Sequence, residues 1–349
     1  VEQGIGVYFT DLVYGGVSLA VLEDRKFKSS PTVAVPAGTF RNGWPQAKGF
    51  DPATDADVDG AVLLGDRQLA FLEHWATDWS GGAWMKAVLS QTIFANVATI
   101  PQKARSGGVL AGLPPEDPGS YPKGYKLAAD ADSNGWPQRG RNRALRAMRK
   151  GFAVHVAGDQ HLGSLVHYGV DAWEDAGFGF CVPSVANAWP RRWYPPAPGA
   201  NREEGSPPYT GRFRDGFGNR MTVHAVSNPE VTGREPARLH DHAPGYGIVR
   251  FRRADRRIVF ECWPRGVDPR APDARQYAGW PVEVGQADQY RREATGILPA
   301  LRVEGLAEPV VQVIDEQTGE TVYTLRLRGP TFRAPVFAPG AYTLRVGDP

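Results

Sequence analysis

The sequence predicts an α/β fold followed by a small all-β portion, and three patterns predict it. Short apolar runs at Gly16–Leu22, Ala87–Gln91 and Phe152–Ala157 have the texture of buried strands. Between them, Leu64–Trp79 and Gln138–Lys150 carry apolar residues three or four apart, the period of helices laid on such strands. From Leu301 onward the pattern alternates, with no helical spacing.

Each element follows in order. Gly16–Leu22 is too uniformly apolar for a half-exposed strand, and Phe27–Gly60, rich in Pro, Gly and Asp, reads as a long excursion. In Leu64–Trp79 the inward set is Leu69, Leu72, Trp75 or Ala76, and Trp79, and Gly81-Gly82 ends the helix. Ala98–Trp136 is a second polar excursion. Gln138–Lys150 turns Leu145 and Met148 inward and presents a basic face. Strands then dominate: Ser164–Tyr168, Phe178–Val182, Met221–Ala225, Gly247–Arg252 and Arg257–Trp263. Pro190–Gly218 reads as a surface loop of the kind that lines a functional site. Pro264–Ile297 lacks periodicity and reads as a surface connector. Val310–Ile314 and Thr321–Leu325 flank a hairpin at Asp315–Glu320, and Tyr342–Val346 closes the chain. This tail resembles a small immunoglobulin-like or carboxypeptidase-regulatory-like β-sandwich. The expected division is 1–263, a connector at 264–298, and the β portion at 299–349.

Composition narrows the function classes. A net charge of +2 provides no global field for nucleic acid or an anionic membrane, and no run of 18 apolar residues is present to span a bilayer. The 2 cysteines, Cys181 and Cys262, lie in apolar strands and read as buried small residues, with a single disulfide left open. Without a CxxC or Cys/His cluster, a structural zinc site is not expected. Val1-Glu2-Gln3-Gly4 leads almost directly into a core strand, so the chain reads as a processed product or a fragment, the latter preferred.

The run Val154–Ala157 stops abruptly at Gly158-Asp159-Gln160-His161. A carboxylate and an imidazole two residues apart at a strand's end can present an oxygen and a nitrogen ligand to a hard or borderline cation. Gly158 is expected to give the chain its sharp turn. A surface turn with Asp159 as a cap and His161 in solvent fits the same spacing.

With the strands placed, the order of motifs resembles the carboxyl half of PhoD-like (alkaline phosphatase D-like) metallophosphatases, from roughly residue 7 to 251. The points of likeness are Leu22-Glu23-Asp24-Arg25, Leu64-Gly65-Asp66-Arg67-Gln68, Ser90-Gln91, Asp132–Pro137 with Arg141 and Arg143, Ala157–His161, Pro183–Asn187 and Gly245–Val249. Residues Trp263–Tyr290 resemble an extension of exported, planctomycete-like members. The resemblance implies a metallophosphoesterase-like αββα sandwich with its amino-terminal half missing. It further implies a periplasmic or extracellular enzyme in bacteria, and calcium with iron, or another dinuclear pair, as cofactor. The family's early aspartate, bridging aspartate and Asn-His or Asp-His motif have no counterpart here.

On this reading Asp159 and His161 bind metal. Arg25 and Arg141 are candidates to clamp phosphate, because a guanidinium matches two of its oxygens. Gln91 or Ser90 would touch metal or phosphate; a strand-end hydrogen bond explains them equally. Trp136, with Tyr121, suggests an aromatic wall, and Asn187 a contact to substrate. The Arg139–Arg149 series otherwise reads as a solvated helix face, Tyr121 as packing under a loop, and His155 and His167 as satisfied strand histidines. His240-Asp241-His242 has a ligand spacing but lies in a Pro/Gly loop. The function expected is metal-dependent phosphoester hydrolysis, on a monoester or diester. The alternatives are a non-catalytic surface-binding module and a sugar- or sulfate-directed hydrolase on the same scaffold.

Overall fold

The computed structural model describes residue 6 and residues 8–347; Val1–Gly4, on which the expectation of a fragment partly rested, lie outside them. Eight strands form the central sheet: β1 (Thr10–Tyr14), β2 (Val17–Val21), β3 (Met85–Thr92), β4 (Val154–Gly158), β5 (Ser164–Tyr168), β6 (Phe178–Cys181), β7 (Gly211–Arg214) and β8 (Arg220–Val226). Their order is β1-β2-β3-β4-β6-β5-β8-β7. The pairs β2/β3, β3/β4 and β4/β6 are parallel, and the flanking pairs are antiparallel. Parallel strands need crossovers, and α1 (Asp66–Thr77) and α2 (Gln138–Arg149) supply two of them.

Successive residues of a strand face opposite ways, and here both faces are covered. Ala20, Val88 and Val166 pack under Leu69, Leu72, Leu145 and Met148 of the helices. Val17, Met85, Val154 and Phe180 pack on Ile258, Phe260 and Cys262 of a second, three-stranded antiparallel sheet. That sheet comprises β9 (Gly245–Arg252), β10 (Arg257–Pro264) and β11 (Val282–Gly285). The layering is therefore helices, large sheet, small sheet. The helical layer that a four-layer sandwich would place outside the second sheet is absent among the described residues. The supposed connector is partly core, since β11 completes the second sheet and Trp280 and Tyr290 are buried.

The carboxyl-terminal portion holds a three-stranded sheet of β12 (Val310–Asp315), β13 (Thr321–Arg326) and β14 (Tyr342–Gly347), in the order β13-β12-β14. It docks on the ends of the two helices. Thr324 N donates to Lys150 O at 2.8 Å, and Phe152 and Tyr290 join its core beside Tyr323 and Phe337. Cys181 and Cys262 are both free and buried, as expected of small core residues. No helix among the described residues is long and apolar enough to cross a membrane.

Candidate active site

The carboxyl ends of β2, β3 and β4 lie side by side, and the chain that follows each one brings polar groups to a common place. After β2, Glu23 is fixed by Gln68 of α1, whose amide oxygen accepts from Glu23 N at 2.7 Å and whose amide nitrogen donates to Glu23 O at 2.6 Å. The Glu23 carboxylate then accepts from Lys26 N at 2.9 Å, which folds the chain back and presents Arg25. At the end of β3 the register with β4 slips by one residue, between Leu89↔Val156 and Thr92↔Gly158. Such a bulge re-aims the side chains around it. Ser90 turns to the buried His155, and Gln91 and Thr92 turn to Asp159.

Asp159 is the meeting point. Its Oδ2 accepts from Thr92 Oγ1 at 3.0 Å and from Gln160 Nε2 at 3.3 Å, its Oδ1 accepts from Gln91 Nε2 at 3.5 Å, and Arg25 Nη1 lies 3.8 Å away. Arg25 and Asp159 remain partly open to solvent. The turn differs from the expectation for Gly158. Asp159 (φ 64) and His161 (φ 58) themselves take the left-handed conformation, with Gln160 N donating to Gly158 O at 2.7 Å across Asp159. A Cβ on Gly158 would meet only ordinary contacts. Left-handed backbone at two non-glycine residues is strain of the kind that collects at functional sites.

His161 Nδ1 lies 3.0 Å from Trp189 O. A carbonyl only accepts, so Nδ1 is the donor in this contact, the contact that metal-bound histidines make with the nitrogen not on the metal. Asn187 donates to His161 O (2.9 Å) and His242 O (2.8 Å), so it anchors the loop behind His161 from a buried position.

Five further residues belong here that the sequence reading passed over as site residues: Asp24, Lys28, Thr92, Asp132 and Asn134. Asp24 is buried, and its Oδ2 accepts from Thr92 N at 3.0 Å and Asn134 Nδ2 at 2.6 Å. Its Oδ1 finds no hydrogen-bond partner among the described residues. Burial pushes the Asp24 carboxyl up, against the pull of the Thr92 N–H. Lys28 Nζ donates to Ser133 O (2.8 Å), Asp132 O (3.0 Å) and Asn134 Oδ1 (3.2 Å), while Arg25 Nη1 shares Asp132 O at 2.7 Å. Burial, then the Arg25 charge, push Lys28 down to about 7. Burial and neighbouring Asp130 push Asp132 up. Asp24, Asp132 and Asn134 fall within segments of the family likeness, with Lys28 and Thr92 close beside such segments, but spacing alone marks none of the five.

Other expected site residues stand elsewhere. Arg141 is fully buried, and its guanidinium donates to Phe94 O (2.7 Å), Gly169 O (3.1 Å) and Asn142 Oδ1 (2.7 Å), with Tyr168 beneath it. It ties α2 to the sheet and leaves no face for phosphate. Arg149 is likewise buried on Asp175, so the basic helix face is only partly solvated. Trp136 is buried, with Nε1 on Ala56 O, and forms core rather than an open wall. Tyr121 packs against Tyr194 under the 190–218 loop. That loop is itself no mere surface, since Arg192, Trp193 and Tyr194 are buried in it. His155 is satisfied by Ser90 and Tyr168, and burial pushes it down to about 3. His167 is stacked on Phe178 with neither nitrogen well partnered. In the 240–242 stretch, Asp241 accepts from Thr232 N, and His242 Nδ1 contacts Asn187 O.

The open carboxylate of Asp159 and the imidazole of His161 are donor types that a cation takes. They fit a metal in part: no group of three or more His, Cys, Asp or Glu able to hold one occurs among the described residues.

No family model matches the chain, and no curated protein does. Among solved structures it is similar to one described as "Structure of PhoD", with a TM-score of 0.43 and 14% identity, over 81% of this chain and 42% of that one. The chain thus spans under half the length of that structure, and a likeness this distant assigns no residue a role.

Proposed function

We propose that this chain carries part of the active site of a metal-dependent phosphoester hydrolase, acting on a phosphomonoester or phosphodiester. One observation carries the reading. Residues as far apart in sequence as Arg25, Gln91, Thr92 and Asp159 meet within hydrogen-bonding or ion-pair range at the carboxyl ends of parallel strands. Asp159 and His161 would hold the metal, with further ligands supplied by sequence beyond these two. Calcium with iron is the pair implied by the sequence resemblance, and a periplasmic or extracellular location in bacteria rests on that resemblance alone. A metal held there would supply Lewis acidity, bringing a water's pKa from 15.7 toward about 7. Arg25 spends one nitrogen on Asp132 O and turns the rest of its fork to phosphate oxygens. Gln91 and Thr92 hold the Asp159 carboxylate in one orientation, and Trp189 O holds the His161 tautomer.

The test is turnover of a chromogenic phosphomonoester and phosphodiester, with bound metals quantified, on the protein with whatever flanking sequence its gene encodes. Asp159→Ala and His161→Ala are expected to lose both metal and turnover. Unchanged metal content in both variants would overturn the ligand assignment, and a metal-free, inactive parent would overturn the hydrolase reading.

A further inference from the structure

Asp24 sits one residue before Arg25, yet it faces inward and touches neither Arg25 nor Asp159 directly. It is 1% exposed, at a position where an unpaired carboxylate is costly. Its Oδ2 receives two hydrogen bonds, and each leads to a different working part of the site. Thr92 N is one donor (3.0 Å), and the hydroxyl of that same threonine donates to Asp159 Oδ2 (3.0 Å). Asn134 Nδ2 is the other (2.6 Å), and the oxygen of that same amide accepts from Lys28 Nζ (3.2 Å). Asn134 Nδ2 also reaches Thr92 O at 3.2 Å, so the two arms are braced against each other.

We propose that Asp24 is the positioning residue of this site: through Thr92 it fixes the Asp159 carboxylate, and through Asn134 it fixes the Lys28 ammonium. The proposal rests on the reading of Asp159 as a metal ligand. Three features support it. Thr92 re-enters the ladder opposite Gly158 directly after the slip at Ser90 and Gln91, and its N–H is turned to Asp24 Oδ2. Thr92 and Asn134 are both fully buried and have no freedom to find water instead. A single side-chain oxygen at this position, Oδ2, accepts from both donors at once and so couples the two arms.

Outer-shell partners of metal ligands change metal affinity by about 10–100-fold when lost, and this makes the proposal measurable without turnover. The probe is Mn²⁺, titrated calorimetrically into the metal-stripped full-length protein, with thermal unfolding recorded for every variant. Asp159→Ala is expected to abolish binding. Asp24→Ala, which leaves Thr92 N and Asn134 without an acceptor, is expected to weaken it about tenfold or more. Thr92→Val is expected to do the same while keeping the backbone N–H and the buried volume, so it stands in if Asp24→Ala does not fold. Asp24→Asn and Thr92→Ser keep the hydrogen bonds and are expected to stay within about threefold of the parent.

Mn²⁺ affinity unchanged in Thr92→Val and Asp24→Ala, with Asp159→Ala dead, would overturn the positioning role and leave the ligand assignment standing. A loss in Asp24→Asn equal to that in Asp24→Ala would also overturn it, since charge and not hydrogen bonding would then matter. A parent that takes up no Mn²⁺ would overturn the reading of Asp159 itself, and the proposal with it.

Discussion

Lys28 and Lys86 are a matched pair at opposite ends of the sheet. Burial is the largest influence on each, and each is pushed down to about 7. Lys86 lies near the start of β3, opposite Ser18 of β2. Its Nζ donates to Trp75 O (2.7 Å) and Asp78 O (2.6 Å) at the carboxyl end of α1, beside the rings of Trp75 and Trp79. A cation there meets the unpaired carbonyls and the negative end of the helix dipole. Arg326 of β13 lands on the neighbouring Trp79 O and Ala83 O, so this end of the sheet is closed by cations meeting carbonyls. Lys28 is as well supplied with acceptors, but its surroundings are not closed. It shares Asp132 O with a second cation, Arg25, whose side chain is partly open to solvent. Close by, Asp24 keeps an unpartnered oxygen and Asp159 stays partly open to solvent. Burial of a lysine therefore does not mark a site; polar capacity left over around it does.

Two substitutions would break this contrast. The larger effect is expected for Arg25→Ala at the open end: a fall in turnover of about 100-fold, in line with losing one preorganised charge on a phosphoryl group. Its melting temperature should stay within about two degrees of the parent, since an exposed ion pair contributes little to stability. A large drop in melting temperature would make Arg25 a structural residue like Lys86. Lys86→Met should behave the opposite way. It leaves Asp78 O without its donor at a buried helix end, costing about 1–3 kcal/mol. The check is a fall of several degrees in melting temperature with kcat/KM unchanged.

The fold was legible where side chains repeat with a period. The strands Val17–Val21, Met85–Thr92 and Val154–Gly158 and both helices stand within a few residues of their sequence-based positions, because an apolar stripe leaves few ways to be buried. Thr10–Tyr14 and Gly211–Arg214 were not legible: the first is an exposed edge strand and the second is short and polar, so neither carries an inward apolar set. The Val282–Gly285 strand was hidden because its partner, Arg257–Pro264, is what buries it. Of the expected site residues, Arg25, Gln91 and Asp159 follow strand ends and come together in the structure. Arg141 and Trp136 misled because chemistry-bearing residue types were weighed without knowing burial, and burial turned both into scaffold. The link from Asp24 through Thr92 to Asp159 was not legible for a different reason: it depends on which hydrogen bonds form beside a bulge, and a bulge has no sequence period.

A pH dependence sharpens the comparison most, because it uses the one property the two lysines share. Lys86 has a folded value of about 7 against an ordinary 10.5. Between the two the unfolded chain binds the extra proton, so stability from this group rises with pH; it is fully present above about 10.5 and is lost as pH falls through about 7. Lys86→Met has no such proton. The stability gap between parent and Lys86→Met, from denaturant unfolding, should therefore widen from about pH 7 to about pH 10, and a constant gap would mean that Lys86 stays charged on its carbonyls. Lys28→Met should show the same sign of pH dependence, since burial is again the leading cause. Saturating inorganic phosphate separates them. An anion bound beside Arg25 favours the charged form of Lys28 and flattens its pH-dependent gap, whereas the gap for Lys86, at the far end of the sheet and closed in by carbonyls, stays as it was. Phosphate acting equally on both gaps, or on neither, would remove the distinction between an open and a closed end.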